Sequence, residues 1–143
     1  MIIIYINKVF SLLILKKRPV NQTKIYAIYS GLIIYNSTSF SSDRDRMLEN
    51  LVFIVLRRKY KNIYYFSEKG ECDFLVKQNG SINMAIQVCY ELTDDNKDRE
   101  INGLLAALDA FNLNEGLILT YNQEDRIDVN HKNINVIPVW KWL

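Results

Sequence analysis

The chain has 143 residues, 49% of them hydrophobic and 24% charged, with a formal net charge of +2. That length fits one domain with a sizeable core, and the composition excludes disordered and fibrous classes. A charge of +2 neither argues by itself for a polyanionic partner nor forbids one. Cys72 and Cys89 form no CxxC pair and His131 is the single histidine, so a zinc site with four thiolate or imidazole ligands is excluded. Two cysteines in a chain of this size read as reduced thiols of a cytoplasmic protein rather than as a secreted disulfide framework.

In chain order, residues 1–40 read as N-terminal strands and 41–143 as the core of a single domain. The apolar start, Met1 to Ile6, has no basic residue before it. Asn7 and Lys8 end it well short of the roughly 18 apolar residues of a membrane span, so it predicts a buried strand and no membrane partner. Further strands are predicted over 10–16 and 24–29 (KIYAIY), with a turn at 18–22 between them. Ser42 and Asp45 stand at capping-box spacing and predict a helix start, the helix running to about residue 59. Its expected stripe is Leu48, Leu51, Val52 and Val55, and Phe53, Ile54 and Leu56 make it apolar on further sides. Arg57, Arg58 and Lys59 complement the dipole at its end. Strands follow over 63–66, 72–77 and 82–90. A second helix opens near 94–98, with Ile101, Leu104, Leu105, Leu108 and Phe111 on one face. Segment 116–121 (GLILTY) predicts a strand buried on both faces, and 126–129 and 134–138 close the chain before Trp140 and Trp142. The order is that of a mixed α/β fold.

Asn79-Gly80 marks a hairpin between the strands at 72–77 and 82–90. A two-residue loop would pair Gln78 with Ser81 and Asp73 with Ile86, mixing polar and apolar residues on both faces. A three-residue loop, Asn79-Gly80-Ser81, gathers Cys72, Phe74, Val76, Ile82, Met84, Ile86 and Val88 on one face. Register follows the hydrophobic pattern, so the three-residue loop is predicted. Asp73 then lies opposite Gln87, and Glu71 opposite Cys89, with Cβ atoms roughly 4.5–5.5 Å apart. Two oxygen-bearing side chains at that spacing can share a hard cation such as Mg²⁺, or can simply be polar residues on the wetter face of the sheet.

Several short motifs occur in order: Lys24-Ile-Tyr-Ala-Ile28, Leu48-Glu-Asn-Leu-Val-Phe53, Glu71-Cys-Asp-Phe-Leu-Val76, Ile86-Gln-Val-Cys89, Glu115-Gly-Leu-Ile-Leu-Thr120 and Val136-Ile-Pro-Val-Trp-Lys-Trp142. From about residue 11 onward the chain thereby resembles the PD-(D/E)XK nuclease-like domain at the C-terminus of predicted bacterial and archaeal AAA-type ATPases. The resemblance implies a restriction-endonuclease-like core, a mixed central sheet flanked by helices, and a Mg²⁺-dependent endonuclease where the site is intact. Carried over by position, the metal-site residues are Glu49, Asp73 and Gln87, and Cys89 stands where the family has its lysine. Gln87 carries no charge, and losing a group that stabilises transition-state charge typically costs roughly 10²–10³ in rate. Tyr29 replaces an acidic residue of the family.

The expectation is a DNA-associated nuclease-like domain with weak or no phosphodiester cleavage, binding Mg²⁺ or Mn²⁺ weakly. Lys77, Lys97 and Arg99 are candidates for a substitute cation. The alternative is a non-catalytic protein-interaction module that keeps the fold as a scaffold for a partner such as an AAA-type ATPase. No GxxxxGK[ST] loop occurs, so only the C-terminal module is resembled, either standing alone or as a piece of a longer ATPase. The basic runs Lys16-Lys17-Arg18 and Arg57–Lys61 read either as phosphate contacts or as solvated faces.

Overall fold

A computed structural model describes residues 3–8, 23–27 and 40–143. The elements are β1 (Ile3–Lys8), β2 (Thr23–Ala27), α1 (Phe40–Lys59), β3 (Asn62–Ser67), β4 (Glu71–Gln78), β5 (Ser81–Val88), α2 (Lys97–Ala110), β6 (Glu115–Thr120), β7 (Asp125–Val129), β8 (Lys132–Pro138) and a short α3 (Val139–Trp142). The strand predicted over 10–16, the turn at 18–22 and Tyr29 lie outside the described residues. The strands form one mixed sheet in the order β2-β1-β3-β4-β5-β6-β8-β7. β3, β4 and β5 are antiparallel, β5, β6 and β8 are parallel, and β2 and β7 are antiparallel edges. The mixed α/β architecture predicted from the sequence is present, with helices against both faces.

Alternation along the strands divides the core in two. Phe74, Val76, Ile86, Val88 and Leu119 pack with Leu48, Val52, Phe53 and Leu56 of α1. Leu75, Ala85, Ile118, Ile134 and Val136 pack with Leu104, Leu105, Ala107 and Leu108 of α2. Neighbours such as Leu75 and Val76, or Ile118 and Leu119, therefore serve opposite faces, which is why β4 and β6 read as continuous apolar runs. Among the described residues, no helix is long and apolar enough to cross a membrane.

Three local expectations are corrected. α1 begins at Phe40, so Ser42 and Asp45 lie inside the helix rather than at its start, and the Asp45 carboxylate accepts the Tyr90 backbone N–H at 2.6 Å. The buried stripe of α1 is Leu48, Val52, Phe53 and Leu56, leaving Leu51 exposed, because the face turned to the sheet also buries Asn50. Gln78 pairs with Ser81, so the loop has two residues, with Asn79 and Gly80 both at positive φ. An irregularity between Val76 and Lys77 then takes up one extra residue of β5: Val76 faces Met84, while Lys77 faces Ile82. This bulge restores Phe74 opposite Ile86, the pairing that the apolar pattern demands. Turn chemistry won at the tip and hydrophobic pattern won in the sheet, and the bulge reconciles them. As a result Ile82 packs on the α2 side rather than with Met84. Cys72 joins it there, because β4 carries an extra residue opposite the step from Tyr64 to Phe66.

α2 crosses the start of β4 at backbone contact. A Cβ on Gly103 would fall 2.2 Å from the Glu71 carbonyl oxygen, and one on Gly70 would fall 2.8 Å from the Gly103 Cα. Neither clash can be relieved by a flexible side chain. Gly103→Ala is expected to destabilise the fold by at least about 1–3 kcal/mol in urea denaturation, despite the gain in helix propensity. An unchanged or raised midpoint would contradict this close crossing.

Candidate functional site

The α2 crossing leaves an open cleft of about 500 Å³ beside the middle of the sheet, lined among others by Lys24, Asp45, Glu49, Glu71, Asp73, Gln87, Cys89, Arg99 and Glu100. The Lys24 ammonium lies at its centre of charge. Nζ is 2.8 Å from Asp73 Oδ1, 2.9 Å from Glu71 Oε1 and 3.2 Å from Glu49 Oε1. An ammonium has three N–H donors, and here it meets three carboxylates.

Each member is aimed by the element that carries it. Asp73 is buried on β4 and turns its other oxygen, Oδ2, to the Val88 N–H at 2.9 Å. Glu49 also accepts the Tyr26 hydroxyl at 2.5 Å. β2, which carries Lys24 and Tyr26, is fastened to α1 twice. The Asn50 amide bonds both backbone groups of Ala27, at 2.9 and 2.8 Å, and the Tyr26 ring stacks on Phe53 with centroids 4.2 Å apart. Tyr26 and Lys24 stand two apart on a strand, so the same face that packs Tyr26 on α1 presents Lys24 to the cleft.

A second set of bonds runs from Asp73 toward α2. The Asp73 N–H donates to Gln87 Oε1 at 3.1 Å, and Gln87 Nε2 donates to the buried Glu100 at 2.5 Å. Glu100 also accepts Arg99, at 3.1 Å from Nε and 2.6 Å from Nη2. Among the described residues no buried side-chain polar atom lacks a partner.

The charges of this network are set by burial and neighbours. Burial alone would lower the Lys24 ammonium, but the charges of Asp73 and then Glu49 outweigh it and hold it above the ordinary lysine value. Burial, then the Glu49 charge, raises the Tyr26 phenol, so it donates as a neutral hydroxyl. Burial, then repulsion from Glu49, pushes Asp73 up to about 7 against the pull of Lys24 and the Val88 N–H. Cys89 is buried, and burial followed by the Glu100 charge pushes its thiol up to about 12, leaving it protonated at neutral pH.

The structure thus brings Glu49 and Asp73 together on one cation. Gln87 lies beside them, but its amide spans the Asp73 backbone and Glu100 rather than joining them at Lys24. Cys89 belongs to the apolar cluster under α2. Of the candidate substitute cations, Arg99 is in the cleft but bound to Glu100, Lys97 borders a separate depression with Gln123 and Glu124, and Lys77 is four residues from Asp73 along β4. The cation on the carboxylates, Lys24, is not among those three. With the Lys24 ammonium between Glu49 and Asp73, the donor set does not fit Mg²⁺, which binds through one or two carboxylates and several waters at about 2.1 Å. One oxygen each of Glu49 and Asp73 faces Lys24, the other Asp73 oxygen is committed to Val88, and the Gln87 carbonyl oxygen to the Asp73 N–H. Among the described residues no three His, Cys, Asp or Glu side chains form a metal-ligand set.

The Asp73 environment has a pH signature. Its folded value, about 7, lies above the ordinary 3.8, so between those values the folded chain holds a proton that the unfolded chain has released. The contribution of Asp73 to stability is full at the low end of that window and lost as pH rises through it. Wild-type urea midpoints are expected to fall between about pH 4 and 7, with a slope from this group of at most about 1.4 kcal/mol per pH unit. Asp73→Asn should flatten that slope even where it lowers stability throughout; parallel wild-type and variant profiles would contradict the assignment.

Residues 44–142 match the family described as a domain of unknown function (DUF4143). The chain is also 40% identical to the uncharacterized protein MJ1544 of Methanocaldococcus jannaschii, an alignment covering 89% of this chain and 30% of that protein. The chain therefore spans less than a third of the length of this curated relative. With most of its length matched, the chain belongs to the DUF4143 domain family.

Proposed function

We propose that this domain is a nuclease-like, DNA-associated module of the PD-(D/E)XK type whose site has lost efficient phosphodiester cleavage. The observation that carries the reading is the meeting of Glu49, from a helix, and Asp73, from the second strand of an antiparallel triplet, at one cation in an open cleft. The order α1-β3-β4-β5-α2-β6, with β5 and β6 parallel, supports it as the layout expected of a restriction-endonuclease-like core. So do the exposed guanidinium of Arg99 at the cleft and the exposed Arg44 and Arg46 near the start of α1, which offer phosphate contacts.

The same bonds account for weak chemistry. Hydrolysis needs an activated water and a cation to take up charge developing on the phosphate. The lysine position is the buried, protonated Cys89, and Gln87 is uncharged and committed at both ends of its amide. Lys24 donates to Glu49 and Asp73 and lies 2.9 Å from Glu71, so its positive charge is already engaged by carboxylates.

The test pairs binding with cleavage. Fluorescence anisotropy with a labelled duplex is expected to show micromolar-range binding that weakens steeply with salt. Supercoiled plasmid with Mg²⁺ or Mn²⁺ is expected to show at most trace nicking. No DNA binding at about 100 μM protein in low salt would overturn the reading in favour of a protein-interaction module; rapid nicking that Asp73→Asn abolishes would overturn the claim of lost cleavage.

A further inference from the structure

We propose that Lys24 is a built-in cation that stands in for a divalent metal: it neutralises the Glu49, Glu71 and Asp73 carboxylates, and the cluster accepts Mn²⁺ or Mg²⁺ only when the Lys24 ammonium is removed. This is independent of the nuclease-like reading, because metal titration reads it without any nucleic acid.

Three observations support it. First, Lys24 Nζ lies 2.8, 2.9 and 3.2 Å from three carboxylate oxygens that converge from α1 and β4, and donates to those of Asp73 and Glu49. Carboxylates this close repel one another unless a cation lies between them or one takes up a proton, and Lys24 is the cation that the chain places there. Second, the lysine is not a passing surface side chain. Its strand is fixed to α1 by the Asn50 clamp on Ala27 and by Tyr26, whose hydroxyl bonds Glu49 while its ring packs on Phe53. Withdrawing Lys24 to admit a metal would mean swinging a largely buried stem out of the cluster, or breaking that clamp. Third, the Asp73 oxygen not bonded to Lys24 is held by the Val88 N–H, and the Gln87 carbonyl by the Asp73 N–H. The surrounding bonds are made with the ammonium in place. Remove the ammonium, and two or three oxygens are left facing one point with no cation, the donor chemistry that hard divalent ions take.

The experiment titrates Mn²⁺, followed by the electron paramagnetic resonance of the free ion, into wild type, Lys24→Met, Lys24→Arg and the double variant Lys24→Met/Asp73→Asn. Wild type and Lys24→Arg should show no binding that depends on Asp73. Lys24→Met should gain a site at least about tenfold tighter than anything in wild type, and the double variant should lose it. The proposal is overturned by Asp73-dependent Mn²⁺ binding in wild type comparable to that of Lys24→Met, or by a folded Lys24→Met that gains none. If Lys24→Met unfolds, circular dichroism with Mn²⁺ takes over. Folding restored by the metal supports the proposal, and a chain that stays unfolded counts against it.

Discussion

The ion pair between Lys24 and Asp73, 2.8 Å long and almost wholly shielded from water on the aspartate side, is the contact around which this molecule is arranged. A buried carboxylate with another carboxylate beside it is unfavourable, and desolvation weighs more here than in a surface pair. The chain meets that cost from three directions. β2 delivers the ammonium, β5 delivers the Val88 N–H, and the Gln87 amide holds the backbone N–H of Asp73 itself. Fixing those directions takes the Asn50 clamp on β2, the bulge that sets β5 in register with β4, and the glycine crossing that brings α2 and Glu100 over the sheet.

The two sides of the network have different chemical characters. On the Lys24 side there is one fixed positive charge among three acids, with a neutral tyrosine hydroxyl on Glu49. On the α2 side a neutral amide links the aspartate to a glutamate that is already paired with Arg99. In this network the buried side-chain groups are mutually satisfied, among the described residues.

Much of the fold was legible because it rests on period and capacity. Alternation predicted the faces of β4 and β5 up to the bulges, and the apolar run 116–121 announced a strand buried on both sides, which ends at Thr120 and leaves Tyr121 exposed. What failed was local. The short polar run before α1 resembles a cap, yet the helix begins at Phe40, and Asp45 spends its carboxylate on Tyr90, 45 residues away. The hairpin needed two rules at once, and choosing one in advance gave the right pairing in the sheet and the wrong loop at the tip. Within the site, the hairpin register predicts Asp73 beside Gln87, and Glu49 joins them only through the family resemblance; neither route assigns Lys24 to the site. A lysine alternating with apolar residues on an edge strand looks like any solvated position, and its partner lies 49 residues on. Lys24 opens the first of the motifs that carry the resemblance, and it alternates with Tyr26, which gives a face without saying what that face meets.

The central claim is an energetic coupling between Lys24 and Asp73, and a double-mutant cycle measures it directly. Urea denaturation of wild type, Lys24→Met, Asp73→Asn and the double variant at about pH 8, above the Asp73 value, isolates the pair from each residue's other contacts. The account predicts a coupling of about 1–3 kcal/mol, with the double variant less damaged than the sum of the two single variants. Single effects that add to within about 0.3–0.5 kcal/mol would contradict it.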